Sequence, residues 1–166
     1  QELVNFMEHI TNLNRERNQQ IITQAKDLNT LLLINNITPI FLKGTGNLLA
    51  GIYDDIAERM VGDIDFLFSK EDYPNAITVL RENGYSEVNK SSYYFPYEKH
   101  YRRLQKDNNI AAIEIHRELL DVKKYIKEFN YSVVKKDCQV IDEACVLSYA
   151  NKLNLTILSK QINDSG

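Results

Sequence analysis

Gly62-Asp63-Ile64-Asp65-Phe66-Leu67-Phe68 is the stretch on which the fold turns. Aspartate is unfavourable in strands, yet two of them open a run that is otherwise strongly apolar. Successive strand side chains point to opposite faces, so Asp63 and Asp65 share one face while Ile64 and Phe66 take the other. Their attachment points lie roughly 7 Å apart, and both carboxylates can lean toward one point. Two like charges so close need a cation or raised pKa values to coexist. The pattern suits one or two Mg²⁺ ions, which take carboxylate oxygens together with phosphate oxygens and water. Read alone, it is equally a pair of exposed strand-end aspartates.

Upstream, Ile37 to Leu42 reads as the start of a strand interrupted by Pro39, and Lys43-Gly44-Thr45-Gly46 follows at once. Glycines let a backbone approach a ligand closely, and amides at a helix start bind phosphate oxygens. The turn is not a Walker loop, and Leu49 stands where a third dinucleotide-type glycine would be. A plain strand-to-helix turn is the alternative. The spacing predicts short helices over 47–53 and 54–60. Downstream, Ser69-Lys70-Glu71-Asp72 matches a capping box for a helix from Lys70 to Glu82 that ends at Asn83-Gly84.

Tyr85 to Val88 and Tyr93 to Tyr97 are strand-like, and His100 to Gln105 pairs with Ile110 to His116 through a turn at 106–109. On that last strand Glu114 and His116 share a face opposite Ile113 and Ile115. Glu114 is then a third acid, able to ligate a metal or accept a proton from an attacking hydroxyl. His116 is either a ligand-orienting group or a satisfied structural histidine.

Residues 1–35 carry helical periodicity, with the polar stretch Asn14 to Gln20 as an exposed turn of helix or a short break. Leu119 to Phe129 and Asp142 to Lys160 read as helices. The expected architecture is one α/β (α+β) domain over 1–166: a helical segment at 1–35, a catalytic core at 37–120 and C-terminal helices at 121–166. Its short mixed sheet is expected to carry helices mainly on one side. The final helix has a mixed apolar face, so an exposed apolar patch is expected there, covered by a homodimer partner or by residues beyond this chain.

Of 166 residues, 43% are hydrophobic and 26% charged, which excludes disordered, collagen-like and disulfide-scaffold classes. The balance of 20 Lys+Arg against 23 Asp+Glu gives a net charge of −3, which argues against a chain that coats nucleic acid or anionic membrane. No apolar run approaches the ~20 residues of a membrane span. Cys138 and Cys145, with no second pair, read as two thiols in a reducing cytosol, so a cytoplasmic location is expected.

Four segments in register, Phe41-Leu42-Lys43-Gly44, Arg59 to Leu67, Asn83-Gly84-Tyr85 and Ile113 to His116, resemble the uncharacterised nucleotidyltransferase family of the nucleotidyltransferase superfamily. The resemblance spans about residues 37–120. It implies the nucleotidyltransferase fold, with Asp63, Asp65 and Glu114 as metal-binding and catalytic acids. It also implies that Gly44, Thr45 and Gly46 form the phosphate turn and that Lys43 and Arg59 neutralise phosphate, with His116 beside them. The implied reaction is Mg²⁺- or Mn²⁺-dependent transfer of a nucleoside monophosphate from an NTP to an acceptor hydroxyl of a small molecule, protein or RNA end. The alternative is an inactive domain of the same fold that binds a nucleotide or a partner. Family members usually continue past the position of Gly166.

Overall fold

The computed structural model describes residues 1–88 and 99–163. Its elements run α1 (Glu2–Ile34), β1 (Ile40–Phe41), α2 (Lys43–Leu49), β2 (Asp63–Leu67), α3 (Asp72–Glu82), β3 (Ser86–Glu87), β4 (Leu104–Gln105) and β5 (Ala112–His116). They continue with α4 (Lys123–Ile126), α5 (Tyr131–Val134), β6 (Gln139–Ile141), β7 (Ala144–Val146) and α6 (Tyr149–Asn163). The seven strands among the described residues form one mixed sheet in the order β3-β4-β5-β2-β1-β7-β6. β2 runs parallel to β5 and antiparallel to β1, while β1 runs parallel to β7.

Alternation along the strands divides the apolar residues between two faces. Phe41, Ile64, Phe66, Ile113, Ile115 and Val146 point toward α1, α2 and α3 in the larger core. Ile40, Leu67 and Cys145 point the other way, into a smaller core with Leu119, Leu120, Phe129 and Val134. The sheet is therefore covered on both faces, not mainly on one. Leu155 and Leu158 of α6 also pack against this smaller core.

α1 is continuous through Asn14 to Gln20, and the polarity of that stretch has a purpose. Asn14 Nδ2 donates to Ala57 O at 2.7 Å, and Asn18 Nδ2 to Ile56 O and Arg59 O at 2.6 and 2.7 Å. Arg15 forks onto Asp55, which also caps a short 3₁₀ turn at Ile56–Glu58. These bonds clamp the loop that feeds β2. Nearly two helical turns beyond Asn18, Gln24 exchanges both amide bonds with Ala111, just before β5, at 2.8 and 3.0 Å. Two buried α1 amides thus hold the entries to both strands that carry the acids.

Several elements differ from expectation. α2 begins at Lys43, not Asn47, so the glycines lie within the helix. The helix after β2 starts at Asp72, with Ser69 Oγ accepting from Asp72 N at 3.0 Å. β4 keeps only Leu104–Gln105 of the expected strand, with His100 joined to His116 by an isolated bridge. The expected helix over Leu119 to Phe129 reduces to Lys123–Ile126, because Leu119 and Leu120 run extended into the smaller core. Residues 121–166, read as helices, supply two strands: Asp142 and Glu143 adopt φ of 46° and 67° and turn β6 into β7, and the helix starts only at Tyr149. On α6 Tyr149, Leu153 and Ile157 are exposed. The expected strand over Tyr93 to Tyr97 lies outside the described residues. No described helix is long and apolar enough to cross a membrane.

Cys138 and Cys145 are joined in a disulfide, not left as thiols. The bond ties the lead into β6 to β7 across a sequence separation of 7. Closing so short a loop restricts the unfolded chain by about 2 kcal/mol. Reduction is therefore expected to lower the melting temperature by roughly 4–8 °C, since each kcal/mol moves a domain of this size by about 2–4 °C. Thermal melts with and without a dithiol, against a Cys138→Ser variant insensitive to it, check this. Identical melts in both conditions would mean that the bond contributes nothing.

Candidate active site

The parallel register sets Asp65 beside Glu114 and Leu67 beside His116. Asp63, Asp65, Glu114 and His116 therefore line one face of β2 and β5, opposite the face packed by α1. Main-chain and hydroxyl bonds from Leu42, which caps α2, and from Thr45 within it fix β2 in place: Leu42 N donates to Asp65 O at 2.9 Å, and Thr45 Oγ1 donates to Asp63 O at 2.8 Å. Lys43, at the head of α2, has φ +47°, a left-handed conformation that costs a side-chain-bearing residue about 1–2 kcal/mol. Its Nζ lies 2.6 Å from Asp65 Oδ1 and 3.7 Å from Glu114 Oε2.

Arg103, just before β4, completes the cluster. Its Nη2 sits 2.5 Å from Asp63 Oδ2 and 3.2 Å from Glu114 Oε1. Two cations are thus threaded among three carboxylates, one pairing Asp65 with Glu114 and the other Asp63 with Glu114. The sequence reading did not single out Arg103.

The environments of the two aspartates diverge. Burial opposes ionisation of Asp65, but the hydrogen bond from His116 and the charge of Lys43 outweigh it and hold the carboxyl at about 2. Asp63 is pushed up, first by partial burial and then by the charges of Asp65 and Glu114, against the pull of Arg103 and Lys43. Burial works against the Lys43 ammonium, yet Asp65, Glu114 and Asp63 together raise it.

Burial lowers His116 despite its bond to Asp65, so the ring is neutral at pH 7. Its Nε2 lies 2.9 Å from Asp65 Oδ1. An ionised carboxylate only accepts, so the proton must sit on Nε2, and His116 donates to Asp65. The buried Nδ1 has no hydrogen-bond partner among the described residues.

Asp65, Glu114 and His116 bring donor atoms within 4.8 Å of one another, a group that could hold a metal ion. Nε2 of His116 already gives its proton to Asp65, so that nitrogen has no lone pair to offer a metal and the ring serves Asp65 instead. The three carboxylates are the better donor set, and the two cations already among them show that the cluster accommodates positive charge. Hard oxygen donors fit Mg²⁺ or Mn²⁺.

The remaining expected residues are placed differently. Gly44, Thr45 and Gly46 are buried. A Cβ on Gly46 would stand 2.6 Å from Phe41 O, and one on Gly44 3.0 Å from Val61 Cγ2. Close packing accounts for both glycines without a ligand. Arg59 is exposed and makes no ion pair with the acids among the described residues, its carbonyl being held by Asn18.

A solved structure from Thermotoga maritima, of a provisionally assigned nucleotidyltransferase, matches with a TM-score of 0.61 over 86% of each chain at 14% sequence identity. That likeness shows the fold. A search of curated proteins finds no match. The sequence model of one family, described as uncharacterised nucleotidyltransferases, matches residues 1–157. With nearly its whole length matched and its fold shared, the chain belongs to this uncharacterised nucleotidyltransferase family.

Proposed function

We propose that the chain transfers a nucleoside monophosphate from an NTP to an acceptor hydroxyl and releases pyrophosphate. The observation that carries this reading is the convergence of three carboxylates from two parallel strands with Lys43 and Arg103 at their rim. Family and fold support the general role.

Asp63, Asp65 and Glu114 would hold Mg²⁺ or Mn²⁺, which when bound neutralises triphosphate charge and acidifies the acceptor hydroxyl. His116 keeps Asp65 ionised and aimed. Lys43 turns its ammonium from Asp65 to the phosphate oxygens, with the backbone of Gly44, Thr45 and Gly46 behind it and Arg59 at the outer edge. Glu114 accepts the proton of the acceptor hydroxyl as its oxygen bonds to the α-phosphorus and the α–β anhydride breaks. The acceptor is a small molecule, a protein side chain or an RNA end.

A second reading, a domain that binds nucleotide without turnover, has one observation in its favour: Lys43 and Arg103 already neutralise much of the acid charge. The four NTPs with Mg²⁺ or Mn²⁺, assayed for pyrophosphate and for mass adducts, separate the two. Glu114→Gln is expected to lower release by about 10²–10⁴-fold, the range of general acid–base catalysis. Nucleotide binding without release in the parent would favour the second reading.

A further inference from the structure

We propose that Arg103 is a guard of the acid cluster, holding Asp63 and Glu114 together until a divalent cation displaces it, and then binding phosphate oxygens of the nucleotide. The second half rests on the nucleotidyltransferase reading, and the first does not. Nη2 of Arg103 contacts oxygens on two carboxylates from different strands, at 2.5 and 3.2 Å. A bridging monovalent group therefore occupies the relation to Asp63 and Glu114 that a divalent cation would need.

The backbone of Arg103 is fixed, since its carbonyl accepts from Val88 N at 3.1 Å and Leu104 pairs with Ile113. Its side chain is free to leave, being 49% exposed and on a long flexible stem. Competition for the same oxygens makes guanidinium and metal mutually exclusive there. Once displaced, the planar fork remains at the rim beside Lys43, and its geometry matches two phosphate oxygens at once. Metal arrival thus frees the arginine for phosphate, so metal and nucleotide bind with positive coupling.

The test measures two affinities of opposite sign on the full chain. In Arg103→Gln, Mn²⁺ alone, followed by its spin resonance, is expected to bind about five- to tenfold tighter, because a competing cation is gone from a half-exposed site. The gain should shrink in high salt. A non-hydrolysable ATP analogue with saturating Mn²⁺ is expected to bind about tenfold weaker to the same variant. Arg103→Lys keeps the charge but not the fork, so it should restore the metal affinity of the parent while recovering little of the nucleotide affinity.

Arg102→Gln removes a neighbouring charge that pairs with Glu87 and should leave Mn²⁺ affinity within about twofold. Unchanged or weaker Mn²⁺ binding in Arg103→Gln, or no Mn²⁺ binding by parent and variant alike, would overturn the guard. Unaltered nucleotide affinity would overturn the phosphate half. Absence of pyrophosphate release by the parent, with the opposite-signed affinities intact, would sink the transfer reading and support the guard.

Discussion

Asp65→Asn is expected to abolish metal-dependent nucleotide binding and to destabilise the domain by about 2 kcal/mol, whereas Asp63→Asn is expected to abolish the same binding at a stability cost within about 1 kcal/mol. The asymmetry follows from their surroundings. Asp65 is buried, accepts from His116 and Lys43, and is held at about 2 against an ordinary value of 3.8. A depressed carboxyl stabilises the folded chain above its unfolded pKa, and the contribution is lost as pH falls through the folded value. The window for Asp65 therefore opens near 3.8 and closes near 2. Asp63 is displaced upward by burial and by its acidic neighbours, so its charge is unfavourable in the fold and its loss is tolerated. Denaturant melts of both variants at neutral pH and near pH 2.5 check the claim. At the lower pH Asp65→Asn should approach the stability of the parent. Equal costs at neutral pH would show that the local electrostatics do not distinguish the two positions.

From alternation alone the two aspartates look equivalent, which marks how far the sequence could be read. Strand alternation placed Asp63, Asp65, Glu114 and His116 on predictable faces, because the intervening Ile64, Phe66, Ile113 and Ile115 have only the core as a destination. What distinguishes Asp65 is a neighbour 51 residues away in sequence, and that pairing depends on the parallel register. Arg103 left a signal as well. Leu104 is buried, so alternation turns its neighbour Arg103 to the opposite face, and pairing of Leu104 with Ile113 makes that the face of Glu114. Only the strand register turns that alternation into a contact.

The turn at Asp142-Glu143 was hidden for a different reason. Left-handed hairpin turns usually show Asn-Gly or Asp-Gly, and here two acidic residues adopt positive φ. The turn is held from outside, by Lys26 Nζ on Asp142 at 3.0 Å and Asn29 Nδ2 on Glu143 O at 3.2 Å. Tertiary contacts from α1 override a local pattern that favours a helix start.

Gly46→Ala is expected to cost about 3 kcal/mol and to lower the melting temperature by roughly 6–12 °C, although alanine is the better helix former. The added methyl would meet Phe41 O at 2.6 Å, a contact no Cβ sustains. Phe41 cannot yield, since β1 is hydrogen-bonded on both sides, to β2 and β7, and its ring sits edge-on to Phe66 at 5.8 Å. α2 must shift instead, taking with it Lys43 and the Thr45 hydroxyl that grips β2, so the acid cluster loosens together with the core. The helix-propensity gain of up to about 1 kcal/mol offsets only part of this. Gly44→Ala is the control: its methyl meets Val61 Cγ2 at 3.0 Å, a side chain that can rotate, and should cost about 1 kcal/mol. Had Gly46 served only to admit phosphate, its alanine variant would melt like the parent and fail only in nucleotide binding. A melt lowered to the predicted extent, with Mn²⁺ affinity falling alongside it, would instead identify the glycine as the point where helix and strand must touch for the acids to meet.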